Sequence, residues 1–376
     1  MSEVNLLSTD VEDDLRSAVR DLLTDRCDPT AVTAVYDGDR SVVGGLWGAL
    51  ATELGLAGLL VSEERGGAGA SAREAAVVLE ELGRAVAPVP FLTSAVIATT
   101  VLLGSDSELL RALASGERTA ALAVPLSTAP GSALPLVRAD ADGRLTGTVT
   151  SVAGALEAHV LLVPASTGDG VSVYAVPATE AALTPVVSLD MTRQLTDVRF
   201  DGATGQPVLA DAEPAVQRAL AAGAALLASE QVGVAQWCLD TTITYLKERR
   251  QFGRIVGGFQ ALKHRLADLF TDVEQASVAA RYAAATLAAG DPDAEIAAAV
   301  AQAYCSDVAV RAAEEALQLH GGIGMTWEHP VHLYLKRAKA DQIALGTAGG
   351  HRARLAGLVD LPPPGSAPAN RQGDRS

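Results

Sequence analysis

The period of apolar and polar positions changes twice along the chain, which divides it into three parts. From Asp10 to about Ser115 the spacing is helical. Val11-Glu-Asp-Asp-Leu-Arg-Ser-Ala-Val-Arg-Asp-Leu-Leu23 carries Leu15, Val19, Leu22 and Leu23 on one face, and its acids lie in the opening turn, where the helix dipole favours them. Further helices are predicted over Leu46–Leu56, Ala72–Gly83 and, after the breaks at Pro88 and Pro90, over 93–103. Near Thr119 the pattern shortens to Val/Leu/Thr runs separated by Gly, Pro, Asp and Ser: Ala120–Pro125, Leu136–Ala139, Arg144–Thr148, His159–Val163, Val171–Val176 and Val198–Phe200. Asp142-Gly143 between two of them is a hairpin signal, and the regular spacing predicts a small β-barrel or sandwich. From Glu213 the helical period returns in long stretches, Pro214–Glu248, Phe259–Ala289, Asp293–Leu319 and His329–Val359, as in an antiparallel four-helix bundle.

The predicted fold class is therefore α+β and mainly α. It comprises an N-terminal helical domain (1–118), a middle β domain (119–212), a C-terminal four-helix domain (213–361) and a proline-rich disordered tail (362–376). Apolar residues make up 49% of the chain but aromatic ones only 4%, so the cores must be built from Ala, Val and Leu.

Charge narrows the function by exclusion. With 45 Asp+Glu against 29 Lys+Arg and no basic stripe, no nucleic-acid partner is expected. Cys27, Cys238 and Cys305 are odd in number and widely spaced, as in a reducing compartment. No apolar run approaches the roughly 18 residues of a membrane span, and Met1-Ser-Glu-Val-Asn lacks a basic leader, so a soluble cytoplasmic protein is expected. His264, His320, His329 and His332 have no acidic partner set, and no metal site is expected. The glycine loop Glu63-Glu-Arg-Gly-Gly-Ala-Gly69 lacks both a P-loop lysine and a preceding strand, and reads as an interhelical turn.

Two segments are locally unfavourable for helix and want a reason: Tyr245-Leu-Lys-Glu-Arg-Arg-Gln-Phe-Gly253, running on through Phe259–Asp268, and Ala316-Leu-Gln-Leu-His-Gly-Gly-Ile-Gly-Met-Thr326. With Glu80-Glu-Leu-Gly-Arg84, Asp190-Met-Thr-Arg193 and Lys336-Arg-Ala-Lys339 in the same order, they make the chain resemble the acyl-CoA dehydrogenase family over nearly its whole length. The resemblance implies helical, β and four-helix domains in that order, FAD as cofactor, and α,β-dehydrogenation of an acyl-CoA thioester to a trans-2-enoyl-CoA. It also implies an electron-transferring flavoprotein as acceptor and a tetrameric assembly. Arg249 would pair with the FAD pyrophosphate, Phe252 would pack beside the adenosine portion, and Gln318, Gly321 and Gly322 would run alongside it, all reaching the FAD of a neighbouring subunit. Guanidinium suits pyrophosphate, and paired glycines let backbone N–H groups approach it.

Other family parts are missing. The two positions that carry the catalytic carboxylate in the family correspond here to Leu345 and Gly223, and neither can accept a proton. Glu230, two turns beyond Gly223, is the candidate replacement, followed by Asp341, one turn before Leu345. The flavin-facing loop survives only as Leu126-Ser-Thr-Ala-Pro-Gly-Ser-Ala133, without its acids, and the strand Gly147–Gly154 has nothing to stack on a flavin.

Residues reaching a partner's FAD are thus kept, whereas those for the chain's own flavin and proton transfer are lost. This asymmetry resembles the non-base-carrying subunit of heteromeric, sterol side-chain type acyl-CoA dehydrogenases, whose sister chain holds the glutamate. Two other readings stay open: a self-sufficient homotetramer with a relocated base, and a flavin-free acyl-CoA-binding or structural homologue.

Overall fold

The computed structural model describes residues 5–135, 137–168 and 170–362; the expected tail from 363 and Leu136, at the head of one expected strand, lie outside them. The N-terminal part holds helices α1 (Asp10–Arg26), α2 (Pro29–Ala34), α3 (Ser41–Gly48), α4 (Ala72–Ala85), α5 (Thr99–Leu102) and α6 (Leu109–Ala114). A wide π-type segment, Phe91–Ala98, leads into α5. Capping boxes start the two longer helices: Thr9 and Glu12 exchange hydrogen bonds at α1, and Ser71 and Glu74 do so at α4.

The middle part is a sheet of β1 (Ala120–Leu122), β2 (Val137–Ala139), β3 (Arg144–Ala153), β4 (Val160–Thr167), β5 (Gly170–Pro177), β6 (Ala182–Val186), β7 (Leu195–Thr204) and β8 (Gln206–Leu209). Its order is β6-β7-β3-β2-β4-β5-β8. β5 takes one edge of β4 throughout, while β1 and β2 lie in line along the other, both parallel to β4. Gly143, at φ +73°, makes the expected turn between β2 and β3. Val149, Leu161, Val198 and Phe200 fill a core of the sheet's own. β6 and β8 went unread in the sequence because each contains a proline, Pro185 and Pro207, and both form the exposed ends of the sheet.

The C-terminal part is built on α7 (Glu213–Glu248), α8 (Gln260–Ala289) and α9 (Ala294–His320), which match three of the long predicted helices to within about a residue at each end. A small antiparallel hairpin, β9 (Arg250–Gln251) and β10 (Arg254–Ile255), separates α7 from α8. The fourth predicted helix, His329–Val359, is not continuous. It is α10 (Val331–Asp341) and α11 (Ala348–Leu358), separated by a turn in which Leu345 and Gly346 take φ of +54° and +104°. Thr347 then caps α11 through Gly350 N–H, so the break is a helix stop followed by a new start.

Helices α4 and α7 cross with their backbones in contact. A Cβ on Gly83 would collide with the carbonyl of Glu230, and one on Gly233 with the carbonyl of Glu80. This crossing fixes the height of Glu230 in the interior. Among the described residues no helix is long and apolar enough to cross a membrane.

Candidate functional site

The two sequence positions expected to bear a catalytic carboxylate meet in space. A Cβ added to Gly223 would lie 2.9 Å from Ile97 Cγ1 and 3.1 Å from Leu345 Cδ1. Leu345 is fully buried, and the residual cavity beside it holds only about 20 Å³, lined by Thr93, Ile97, Leu126, Ala153, Leu220 and other apolar groups. Nothing in that lining can take a proton. Glu230 is not part of it.

The loop Leu126–Ala133 is stitched down on both sides of this point. Leu345 N–H donates to Leu126 O at 2.7 Å, and Leu126 N–H donates to Ser151 O at 3.0 Å, so the loop's backbone bridges the α10–α11 turn to β3. Ser151 sits in a bulge of β3 with φ +54°, held by its N–H to the Asp197 carboxylate at 2.9 Å. Further along, Gln217 accepts from Gly131 N–H at 2.6 Å and donates to Ser132 O at 2.8 Å, while Arg354 donates to Pro130 O at 2.6 Å.

The residues expected to touch FAD face outward instead. Arg249 closes α7 with an extended conformation, and Phe252-Gly253 forms the tip of the β9–β10 hairpin with φ of +53° and +75°, the two positive values of a type I′ turn. Phe252 is 90% exposed. Gln318, Gly321 and Gly322 are exposed at the end of α9, where Gly321 takes φ +63°. The two segments are brought together by buried His320, which stacks on Tyr245 at 4.5 Å, one turn before Arg249.

His320 also belongs to a cluster that the sequence did not reveal. Its ring lies 4.2 Å from that of His329, and Trp237 stacks on Tyr334 at 3.5 Å beside them. Burial, with His320 adding to it, holds His329 down to about 4. Burial and Lys336 hold His332 down to about 4 as well.

Glu230 and Asp341, the two candidate replacement bases, lie in a buried ion-pair core where all three parts of the chain meet. Glu230 accepts from Arg193 at 2.7 Å through both oxygens and from Arg337 through Oε1. Arg337 also donates Nε–H to Asp190 at 2.7 Å and reaches the Thr192 hydroxyl, and Tyr36 from the N-terminal part donates to Asp190 at 3.4 Å. Asp341 Oδ1 accepts from Arg193 at 2.5 Å. Burial works to raise the Glu230 carboxyl, but Arg193 and Arg337 outweigh it and hold it below the ordinary glutamate range. Burial pushes Asp341 the other way, up to about 7, because Arg193 offsets it only in part and Glu230 and Asp190 add to it. Asp341 ends α10, so it does not continue onto the face of Leu345.

Comparison with known proteins bears on the family and the fold. The acyl-CoA dehydrogenase N-terminal domain model matches residues 9–117 and the C-terminal domain model residues 214–357. The chain is 36% identical to acyl-CoA dehydrogenase IpdE2 of Mycobacterium tuberculosis over 86% of its own length and 89% of that protein. Among solved structures it is similar to a variant of the Tcur3481-Tcur3483 steroid ACAD, at 30% identity and a TM-score of 0.81, covering 93% of this chain and 98% of that one. It is similar too to a chain of the ChsE4-ChsE5 complex from Mycobacterium tuberculosis, at 28% identity and a TM-score of 0.83, covering 96% of this chain and all of that one. The chain belongs to the acyl-CoA dehydrogenase family of oxidoreductases, and its mainly helical fold with a central sheet is the fold of that family.

Proposed function

We propose that this chain is the subunit of a heteromeric acyl-CoA dehydrogenase that lacks a catalytic carboxylate of its own, and that it completes the flavin site of a glutamate-bearing sister chain. The reaction is FAD-dependent α,β-dehydrogenation of an acyl-CoA thioester to the trans-2-enoyl-CoA. The observation that carries the reading is the contact of Leu345, Gly223 and Ile97, which leaves neither a proton acceptor nor space for one at both family base positions.

The residues present fit FAD on one surface and not in the cleft. Around Leu345, the Leu345–Leu126 and Leu126–Ser151 backbone bonds and the lining of the small cavity offer a flavin ring neither a charged group nor an aromatic ring. At the surface, Arg249 offers a guanidinium, Phe252 an unburied ring on a rigid turn, and Gly321-Gly322 an open backbone. Bound FAD supplies the hydride acceptor of the reaction. The role of Arg249, Phe252, Gln318, Gly321 and Gly322 is to hold its adenosine diphosphate portion across a subunit boundary. Among the similar structures, the Tcur3481-Tcur3483 steroid ACAD supports a bulky acyl group and the ChsE4-ChsE5 complex a heteromeric assembly, and family membership supports an electron-transferring flavoprotein as electron acceptor.

Flavin per chain, read by absorbance together with assembly mass by light scattering, tests the proposal. Expressed alone, the chain is expected to carry little flavin; with its sister chain it is expected to form a flavin-bearing tetramer that Arg249→Ala depletes. One FAD per chain in a homotetramer would overturn it.

A further inference from the structure

The ion-pair core does not balance. Two guanidinium groups, Arg193 and Arg337, face three carboxyl groups, Asp190, Glu230 and Asp341, and all five side chains are nine-tenths or more buried. Of the six carboxyl oxygens, five accept hydrogen bonds. Asp190 is served by Arg337, Thr192 and Tyr36, Glu230 by both arginines, and Asp341 Oδ1 by Arg193. Asp341 Oδ2 is buried and has no partner among the described residues.

The amide donors nearest Asp341 are aimed at its backbone rather than at Oδ2. Gln231 Nε2 is spent on the carbonyl of Asp341 at 3.2 Å, and Gln302 Nε2 on the carbonyls of Asp341 and Ala344 at 3.5 and 3.3 Å. The amide oxygens of Gln231 and Gln302 are themselves buried without partners. Turning either amide round would set oxygen against carbonyl oxygen, so the orientation is fixed by its acceptors. From α9, Gln302 is uncharged and Asp307 is turned outward to Arg352 and Gln342, and on α10 Lys336 stands over the Tyr36 ring, toward Asp190. An ionised Asp341 would therefore place a third negative charge, half unsatisfied, in the interior.

We infer that Asp341 is held as a neutral carboxylic acid whose proton, on Oδ2, balances the junction between the N-terminal helices, the sheet and the bundle. The proton removes the surplus charge and turns the unserved oxygen into a donor among acceptors. Its upward shift, opposite to that of Glu230, agrees with the same geometry. Because Asp341 ends α10 and the turn that follows carries Leu345, whose N–H pins Leu126, loss of this proton loosens both the junction and the closure of the cleft.

The test uses the full-length chain and Asp341→Asn, whose amide reproduces the neutral acid with a donor in place of the O–H. Between about pH 6 and about pH 7.5 the wild-type melting midpoint is expected to fall by a few degrees and then to level off, since from about pH 4 to about pH 7 the folded state holds a proton that the unfolded chain has already released, and above that both are ionised. Asp341→Asn should be flat over that window and melt above wild type at its alkaline end. A variant that melts below wild type there, with the slope unchanged, overturns the inference. Should Asp341→Asn not fold, infrared pH-difference spectra of the wild type decide: a neutral carboxylic-acid C=O band must disappear as the pH rises through about 7, where ordinary carboxyls are already ionised. Absence of that band overturns the inference equally.

Discussion

Leu345 closes directly over Gly223, with its Cδ1 only 3.1 Å from where a Cβ on that glycine would stand. Two positions that could each have carried a carboxylate are instead used as a knob and the hole that receives it. Ile97 fills the remaining side of the hole. The interior is tightly packed where these two positions meet, and this has consequences that can be measured.

Gly223→Ala introduces one methyl at 2.9–3.1 Å from Ile97 and Leu345, closer than side chains settle without moving. Overpacking of this kind costs about 1–3 kcal/mol. The loss should be read by denaturant unfolding of the single variant and of its combination with Ile97→Ala, which vacates the contacted atoms. The double variant should lose clearly less than the sum of the losses of Gly223→Ala and Ile97→Ala alone. Full additivity would mean that the residues do not share the space.

Phe252 is a bulky side chain held at positive φ on a solvent-exposed turn, a combination that gains the isolated chain nothing. Phe252→Gly is therefore expected to raise the stability of the chain by about 1 kcal/mol, because glycine adopts that conformation without strain. In the assembly with a sister chain the same substitution should lower flavin retention about tenfold or more, the loss expected for an aromatic ring at the centre of a contact. A destabilised isolated chain, or undiminished flavin, would contradict the assignment.

The sequence was most legible where one period ran long. The apolar spacing of α1, α4 and the bundle helices located them within a few residues, because each buries one face against a neighbour. It failed where tertiary contacts override period: the α10–α11 break depends on Leu345 reaching back to Leu126, 219 residues earlier (345 − 126), and β6 and β8, at the ends of the sheet, are short and interrupted by Pro185 and Pro207. The site was legible in the same uneven way. Motif order singled out Arg249, Phe252 and Gly321-Gly322, whose segments the fold joins through His320 and Tyr245, but Glu230 could be read as a spare base because Arg193 and Arg337, its partners, lie 37 and 107 residues away.

Glu230→Gln separates a structural carboxylate from a catalytic one. Removing one partner of a buried pair strands the others, and a loss of about 3–5 kcal/mol is expected, with Arg193 and Arg337 left short of their shared acceptor. Chemical denaturation measures it. A base would behave differently: stability would hold, flavin would stay, and turnover of the assembled enzyme would vanish.

The His320–His329–His332 cluster sets the acid limit of the same surface. Burial holds His329 and His332 down to about 4, below the ordinary histidine value, and lowers His320 too. The unfolded chain therefore takes up protons first, so the stability from these groups is fully present above about pH 6.5 and is lost as the pH falls through about 4. The melting midpoint should decline over that window, and His329→Gln should flatten the decline by removing the ring that faces His320. Because His320 lies between Gln318 and Gly321 and stacks on Tyr245, the charge should be felt first at the segments that present Arg249 and Gly321-Gly322. Hydrogen exchange followed at falling pH should show the amides of 318–325 opening before those of α7. Simultaneous opening would place the acid sensitivity elsewhere. Asp341 titrates in the opposite sense, gaining protons in the folded state below about 7, so the two groups oppose each other in acid. In Asp341→Asn that compensation is lost, and the acid decline governed by the histidines should steepen.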